Sequence, residues 1–362
     1  MINYDRRNII LQASVLSLIS VTSTAHSTPT LTISASKYKN GGMKGFAIDK
    51  VSSRANDQSY LSALLSTSSN VARIFFPFKK CNNCTQYGRT PSDVIGLKKI
   101  LDFVRPTGLK IVIVGVFDNQ DKPEFWFDEN LRSSFVANWK WFSENFQNDS
   151  AIAGLDLLNE PNPPLPLAEA QTTWRNLASL AISAIRSAGM RLPIIFEGVG
   201  GGQAIGMRNL TPFNDSEIVY SFHLYTPHDI THQKVAPTWQ RTIPYPAGPE
   251  WKLKDAVIDV GGWDRRRLEE ALKDVISFQK RTDLPIFVGE FSCVRWAPDD
   301  SAKKYIEDSL DIFNKFGWSW CYHEFRGWPG WDAEIDSRDP GATSRSFNSP
   351  IMKMILSEIS KK

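Results

Sequence analysis

Apolar runs of strand length recur along this chain and alternate with amphipathic stretches of helical period. The runs are rich in branched aliphatic and aromatic residues and carry few charges, which is typical of strands buried on both faces of a parallel sheet. We predict strands at 44–48, 70–76, 110–116, 152–158, 193–197, 218–223, 285–290 and 317–322.

Helical patterns fill the intervals between these strands, with the predicted helices at 58–66, 90–105, 129–146, 167–188, 264–282, 299–316 and 350–359. Strict alternation of strands and helices favours a parallel sheet with its helices outside. Eight strands in 362 residues predict a single-domain α/β protein, a (β/α)8 TIM barrel. A doubly wound open sheet is the alternative.

Composition narrows the class of function. Hydrophobic residues at 42% and charged residues at 22% are ordinary for a soluble globular chain. A formal charge of +3 without a sustained basic run does not indicate a nucleic-acid partner. The 12 tryptophans favour sugar binding, because aromatic faces stack on the apolar faces of sugar rings, although most of them are expected in the core.

The amino terminus has the pattern of an export signal. Arg6 and Arg7 precede an apolar stretch at 9–21, and small residues around Ala25 offer a cleavage site. We therefore expect a signal peptide at 1–27, a catalytic domain at 28–362 and a periplasmic or secreted protein. Both the general and the twin-arginine export routes remain open, as does an uncleaved extension. No later segment is long and apolar enough to span a membrane.

Four cysteines fit an oxidising compartment. Cys81 and Cys84 lie in a polar loop and are candidates for a local disulfide. Cys293 and Cys321 stand alone at predicted strand ends, and they could pair if their strands are neighbours. A zinc site would require a second close pair of cysteines.

Two glutamates mark the carboxyl ends of predicted strands, where barrel enzymes assemble their chemistry. Asn159 and Glu160 end the fourth strand, and Pro161 favours an extended backbone at Glu160. Glu290 ends the seventh strand. Hydrolysis of a glycosidic bond requires two facing carboxyl groups, one protonated and one ionised. Taken alone, Asn159 and Glu160 could instead cap a helix or occupy a solvated turn.

Other polar and aromatic side chains fall at matching strand ends: Arg73, His223, Tyr225 and Trp320. Arg73 and Tyr225 are expected to hold Glu290 ionised by charge and hydrogen bonding. Burial and the nearby charge of Glu290 would then keep Glu160 protonated. A structural ion pair for Arg73, and core positions for His223 and Trp320, are the alternatives.

In these positions the chain resembles glycoside hydrolase family 5 over roughly residues 40–360. The matching motifs are Arg73, Asn159-Glu160-Pro161, His223-Leu224-Tyr225, Gly289-Glu290-Phe291 and Trp320. The resemblance implies Glu160 as acid/base and Glu290 as nucleophile. It also implies that Asn159 binds the sugar 2-hydroxyl, that Trp320 forms the floor of the −1 subsite, and that His223 and Tyr225 flank the glutamates.

One region departs from the family pattern. The family usually carries a histidine after the third strand, and the sequence here is Val116-Phe117-Asp118-Asn119-Gln120. We therefore expect Asp118 or Asn119 to contact the sugar instead. Tryptophans in the loops are further candidates for sugar subsites: Trp126, Trp239, Trp251, Trp296, Trp328 and Trp331.

These observations predict a retaining glycosidase that acts on a β-linked polysaccharide or oligosaccharide, with an endo-β-1,4-glucanase favoured. A β-mannanase, another β-glucan hydrolase and a non-catalytic carbohydrate-binding barrel are the alternatives. We expect a monomer without a cofactor. His223, His228 and His232 have spacings that a metal could use, but a long proline-bearing loop is a poor scaffold, so no metal is predicted.

Overall fold

The computed structural model describes residues 33–80, 86–147 and 149–361, all within one compact unit. The predicted export signal at 1–27 and the Cys81–Cys84 loop lie outside these residues, so both stay predictions. In the described part of the chain, no helix combines the length and apolar character that crossing a bilayer demands.

Eight parallel strands form a closed barrel. They are β1 (Lys44–Ile48), β2 (Val71–Lys80), β3 (Lys110–Phe117), β4 (Ile152–Asp156), β5 (Ile194–Glu197), β6 (Ile218–Leu224), β7 (Ile286–Phe291) and β8 (Ser319–Tyr322). Each pairs with the next along the chain, and β1 pairs with both β2 and β8. This closure confirms the (β/α)8 barrel and excludes the open sheet. A two-residue strand, Tyr87–Gly88, extends β2 as an antiparallel hairpin.

Helices surround the barrel at Val51–Arg54, Gln58–Leu65, Pro91–Val104, Pro123–Phe127, Glu129–Phe146, Leu167–Ser187, His228–Thr231, Arg265–Ala271, Lys273–Thr282, Ser301–Phe316 and Pro350–Ser360. Some of these helices begin at a capping side chain: Asp128, for example, accepts hydrogen bonds from the amides of Asn130 and Leu131. The single helix predicted at 264–282 is instead two helices that meet at Leu272.

Side chains of the strands divide into two apolar layers. Residues such as Val71, Val112, Ile195 and Cys321 fill the barrel interior. Their neighbours along each strand pack outward against the helices and form the larger core. This alternation decides which residue of each strand end points into the barrel mouth.

The amino-terminal end of the barrel is closed by a 3₁₀ segment, Ala35–Gly41. Tyr38 from this segment is fully buried in the interior layer, and its backbone carbonyl accepts a hydrogen bond from the Ser319 hydroxyl. The opposite, carboxyl end of the strands is therefore the end available for chemistry.

The two described cysteines are free and buried. Cys321 points into the barrel, whereas Cys293 lies beyond β7 with its sulfur facing the carbonyl of Ile230. A Cys293–Cys321 disulfide, considered from the sequence, is therefore not formed.

Candidate active site

Arg73 is the hub of a buried polar cluster at the carboxyl end of the barrel. Its side chain is fully buried and points inward from β2. Nε donates to Asp156 at 2.9 Å, Nη1 donates to Glu290 at 2.6 Å, and Nη2 donates to Asn159 Oδ1 at 3.0 Å. One guanidinium thus links β2, β4 and β7, as its planar fork of donors allows.

Glu290 is held as a carboxylate. Besides Arg73, it accepts a hydrogen bond from the Tyr225 hydroxyl at 2.9 Å. Burial raises the pKa of Glu290, but the charges of His323, His223 and Arg73, and the Tyr225 hydroxyl, outweigh burial and hold this pKa well below its usual range. Glu290 therefore has the charge state that a nucleophile requires.

Glu160 faces Glu290 across the mouth of the barrel. Its side chain is 41% exposed, and its Oε1 lies 3.0 Å from Nδ1 of His223. One oxygen of Glu160 and one of Glu290 lie within 4.8 Å of each other. This proximity fits the carboxyl spacing of roughly 5–5.5 Å in retaining glycosidases and is too short for the roughly 6.5–9.5 Å of inverting ones.

A β-bulge aims Glu290 into the cluster. Phe222 pairs with Val288, whereas the next residue of β6, His223, pairs with Glu290, so Gly289 is the extra residue of β7. A Cβ on Gly289 would lie 2.9 Å from Nε2 of His223. Glycine is therefore needed here because the imidazole packs against the backbone.

Two further carboxyl groups complete the cluster, and neither was identified from the sequence. Asp156 ends β4 and Glu197 ends β5, and both are fully buried. Glu197 accepts a hydrogen bond from the backbone amide of Glu160 at 3.0 Å, and its other oxygen lies 3.4 Å from His223 Nε2. For Glu197 the available signal was a carboxylate at the end of the strand predicted at 193–197, whereas Asp156 fell inside the strand predicted at 152–158.

Trp320, which was expected to form the floor of the −1 subsite, lies elsewhere. The Trp320 side chain points from β8 toward the helices, is fully buried and packs edge-on against Phe291. It therefore cannot form the floor of a sugar subsite. Strand alternation is the reason: Cys321 points inward and Trp320 outward. Asp118 accepts hydrogen bonds from the backbone amide of Lys80 and from the Lys79 side chain, and its own side chain is 38% exposed, so its contact with the sugar stays a prediction.

His323 occupies the inward position that Trp320 was expected to fill. Its Nδ1 lies 3.6 Å from Glu290, and its ring packs edge-on against Tyr225 and at 5.2 Å from Trp331. This residue was missed because the predicted strand ended one residue earlier, at Tyr322. Counting two residues on from the inward-pointing Cys321 would have found it.

An aromatic wall continues outward from His323. Trp331 also packs against Tyr225 and His232, and Trp239 stacks on His228. Among the loop tryptophans, Trp126 belongs to the core, with 1% exposure, whereas Trp328 is 36% exposed and contacts Trp331.

The donor set argues against a resident metal ion. Within the described residues, Glu160, His223 and Glu290 are the one group close enough to share a cation. Glu290 is already bound by the Arg73 guanidinium. Burial lowers the pKa of His223, but the carboxylates of Glu197 and Glu290 outweigh burial and raise this pKa to about 9. A cation would have to displace positive charges already present, so the absence of a metal stays a prediction with this physical support.

Comparison with known proteins agrees with this geometry. The model of the cellulase family, glycosyl hydrolase family 5, matches residues 33–327. Endoglucanase C of Acetivibrio thermocellus is 27% identical over 238 residues, which are 61% of this chain and 66% of that protein. Cellodextrinase A of Ruminococcus flavefaciens is 23% identical over 61% of this chain and 64% of that protein. The chain thus spans just under two thirds of these relatives.

Solved structures show the same fold. Endoglucanase Cel5A of Thermotoga maritima superimposes with a TM-score of 0.70 at 19% identity, covering 89% of this chain and 100% of that one. The same enzyme in complex with mannotriose gives a TM-score of 0.69 at 18% identity, covering 89% and 99%. With the family model spanning most of the chain and the two glutamates facing each other at the barrel mouth, this protein belongs to glycosyl hydrolase family 5.

Proposed function

We propose that this protein is an endo-β-1,4-glucanase that hydrolyses its substrate with retention, Glu290 acting as nucleophile and Glu160 as acid/base. The observation that carries the proposal is the facing carboxyl pair, with oxygens within 4.8 Å and Glu290 held ionised. The two groups differ in environment: Glu290 is fully enclosed by donors, whereas Glu160 is partly open to the cleft.

The reaction follows from these positions. Glu290 attacks the anomeric carbon and forms a glycosyl ester, while Glu160 donates its proton to the departing glycosidic oxygen. Glu160, now a carboxylate, then takes a proton from the water that attacks the same carbon, and the ester bond to Glu290 breaks. Arg73 and Tyr225 stay fixed on Glu290 in both steps.

Asn159 is proposed to hold the sugar 2-hydroxyl. Its amide oxygen accepts from Arg73, which leaves the amide nitrogen to donate to the sugar. His323 and Trp331, instead of Trp320, are proposed as the ring surfaces beside the reacting sugar, because they line the mouth next to Glu290.

The preference for a β-1,4-glucan rests on the relatives, which carry the names endoglucanase and cellodextrinase. A β-mannan is the second candidate substrate, since the structurally similar Cel5A has been crystallised with mannotriose. A barrel that only binds carbohydrate is disfavoured, because binding alone requires no pair of facing carboxyl groups with one of them held ionised.

A hydrolysis screen tests the proposal. Carboxymethyl-cellulose, mannan, xyloglucan and short cello-oligosaccharides are incubated with the protein, and product sizes are measured over time. An endoglucanase shortens carboxymethyl-cellulose quickly while releasing little reducing sugar, and proton NMR shows the β-anomer first. Release of the α-anomer first would reject a retaining mechanism. The absence of hydrolysis on every substrate would reject the proposal that the protein is a glycosidase.

We also propose export of this enzyme to the periplasm or the medium, on the strength of the amino-terminal sequence at 1–27. Such a location suits an enzyme whose polymeric substrate cannot enter a cell. We propose in addition that the exported protein is a monomer. Cell fractionation followed by amino-terminal sequencing of the mature chain tests cleavage, and light scattering of the purified protein tests the monomer.

A further inference from the structure

Glu197 holds two different parts of the site with its two oxygens. It ends β5 and is fully buried. Oε1 accepts the hydrogen bond from the backbone amide of Glu160 at 3.0 Å. Oε2 lies 3.4 Å from Nε2 of His223 and 3.5 Å from Nη2 of Arg73. The carboxyl group therefore sits behind Glu160 and does not face the cleft where the sugar binds.

The backbone of Glu160 needs such an anchor. Its φ is 49°, in the left-handed region that non-glycine residues rarely adopt and not in the extended region expected before Pro161. A residue held there costs on the order of 1–3 kcal/mol and persists only when its surroundings impose the conformation. The partly buried hydrogen bond from the Glu160 amide to Glu197 fixes this turn, and the turn sets where the Glu160 side chain points.

The same carboxyl group reaches the Glu160 side chain through an imidazole. His223 places Nδ1 3.0 Å from Glu160 Oε1 and turns Nε2 toward Glu197. Burial raises the pKa of Glu197 to about 8, and the neighbouring carboxylates outweigh burial and raise the pKa of His223 to about 9. The groups facing this pair are Arg73, Asp156, Glu160 and Glu290.

The fold reserves space for this carboxyl group. Gly202 has a φ of +72°, and a Cβ there would lie 2.3 Å from Glu197 Oε1. The carbonyl of Gly202 accepts from the backbone amide of His223 at 2.7 Å, so the glycine turn packs against both partners. On the other side, the Trp174 indole donates to the backbone carbonyl of Glu197 at 2.9 Å.

We propose that Glu197 is a positioning residue for Glu160: one carboxyl oxygen fixes the Glu160 backbone and the other orients the His223 ring against the Glu160 side chain. Glu197 thus acts on proton transfer to the leaving group and not on the attack by Glu290. This inference rests on the proposed function, in which Glu160 is the acid/base.

Substrates with different leaving groups distinguish an effect on proton transfer by Glu160 from an effect on the attack by Glu290. A sugar leaving group must be protonated as it departs, and general acid catalysis of this kind contributes about 10²–10⁴-fold. A 2,4-dinitrophenolate leaves without protonation. A residue that acts through Glu160 therefore affects the first substrate and spares kcat/KM on the second, whereas general damage to the site lowers both.

The experiment measures kcat/KM of Glu197→Ala and Glu197→Gln on cellotetraose and on 2,4-dinitrophenyl β-cellobioside. We expect Glu197→Ala to lose about tenfold or more on cellotetraose and to stay within about threefold on the aryl glycoside. Glu197→Gln should fall between the alanine variant and the unchanged protein, because its amide oxygen still accepts from Glu160 while its NH₂ group faces the donors of His223 and Arg73.

A second readout concerns the hydrolysis of the glycosyl enzyme. Its attacking water needs Glu160 as base, so kcat on the aryl glycoside should fall in Glu197→Ala, and azide, which needs no base, should restore it. Glu358→Gln is the matched control: Glu358 is also buried and bonded to Asn314, but it lies on the last helix, and both substrates should be unaffected.

Equal losses on both substrates, or no loss on cellotetraose, would overturn the inference. Circular dichroism checks that each variant is folded, and if the alanine variant does not fold, the near-isosteric glutamine variant decides the question with the same ratio. If the unchanged protein hydrolyses neither substrate, the proposed function itself is rejected. Failure of the inference about Glu197 is therefore distinguishable from failure of the proposed function.

Discussion

Replacement of Arg73 by lysine removes most of the hydrogen bonding that organises the carboxyl cluster. The guanidinium donates from three nitrogens to Asp156, Glu290 and Asn159. A lysine ammonium is a compact point charge that cannot span three such positions, so at least two bonds are lost. Hydrogen bonds to charged groups contribute about 1.5–3 kcal/mol each, so the loss of stability is roughly 3–6 kcal/mol. Breaking a buried ion pair costs a similar amount, about 3–5 kcal/mol.

Thermal unfolding followed by circular dichroism measures this effect. With an unfolding entropy of about 2.1 cal/mol/K per residue, 1 kcal/mol corresponds to roughly 1.4 °C in a chain of this size. We therefore expect Arg73→Lys to lower the midpoint by roughly 4–8 °C. Arg266→Lys is the control, because Arg266 is 72% exposed and lies 3.7 Å from Glu270. A conservative change at such a surface position alters stability by about 0.5 kcal/mol or less.

The pH dependence of activity gives a second measurement on the same variant. Arg73 is one of the groups that hold the pKa of Glu290 below its usual range. Weakening their contact raises this pKa, so the acidic limb of kcat/KM should move to higher pH. A midpoint within about 2 °C of the unchanged protein, together with an unmoved acidic limb, would refute the role assigned to Arg73 as the hub of the cluster.

Three further predictions concern the charge states of the same groups. Glu290→Gln should abolish hydrolysis of carboxymethyl-cellulose while the circular dichroism spectrum is retained; near-normal turnover would reject Glu290 as nucleophile. Azide should rescue Glu290→Gly on an aryl β-cellobioside and yield the α-azide, and no rescue at any concentration would count against retention. The pKa of Glu197 is raised from 4.5 to about 8, chiefly by burial, and that of His223 from 6.5 to about 9, where neighbouring carboxylates outweigh burial. The folded chain therefore binds more protons than the unfolded chain in this window. Stability should fall as pH rises from about 4.5 to 9, by up to about 1.4 kcal/mol per pH unit for each extra proton bound. Denaturant unfolding at several pH values measures the slope of the free energy of unfolding against pH. This slope should be smaller in Glu197→Gln, and an equal slope would contradict the raised pKa of Glu197.

The order of strands and helices could be predicted from the sequence because burial imposes local patterns. β1 at Lys44–Ile48 and the helix Glu129–Phe146 have the predicted bounds. Parallel barrel strands are apolar on both faces, and surface helices carry one apolar stripe, so each element is marked within its own residues. The same holds for Glu160 and Glu290, since a carboxylate that directly follows such a strand must lie at the barrel mouth.

Which residues of each strand point into the barrel was not predictable, because these strands are apolar on both faces. A strand that is apolar throughout, such as the run that ends β8, carries no period-two signal. Trp320 was therefore placed in the mouth, when the closed barrel turns it toward the helices and turns His323 inward.

Only the tertiary structure decided which polar residues share one cluster. Asp156 and Glu197 are separated from Arg73 by more than 80 residues, and barrel closure brings all three to hydrogen-bonding or ion-pair distance. Their charge states follow from that meeting, because burial and neighbouring charges belong to the assembled site and not to any segment. The sequence by itself therefore determined the fold and the candidate pair Glu160 and Glu290, while packing determined what surrounds and tunes that pair.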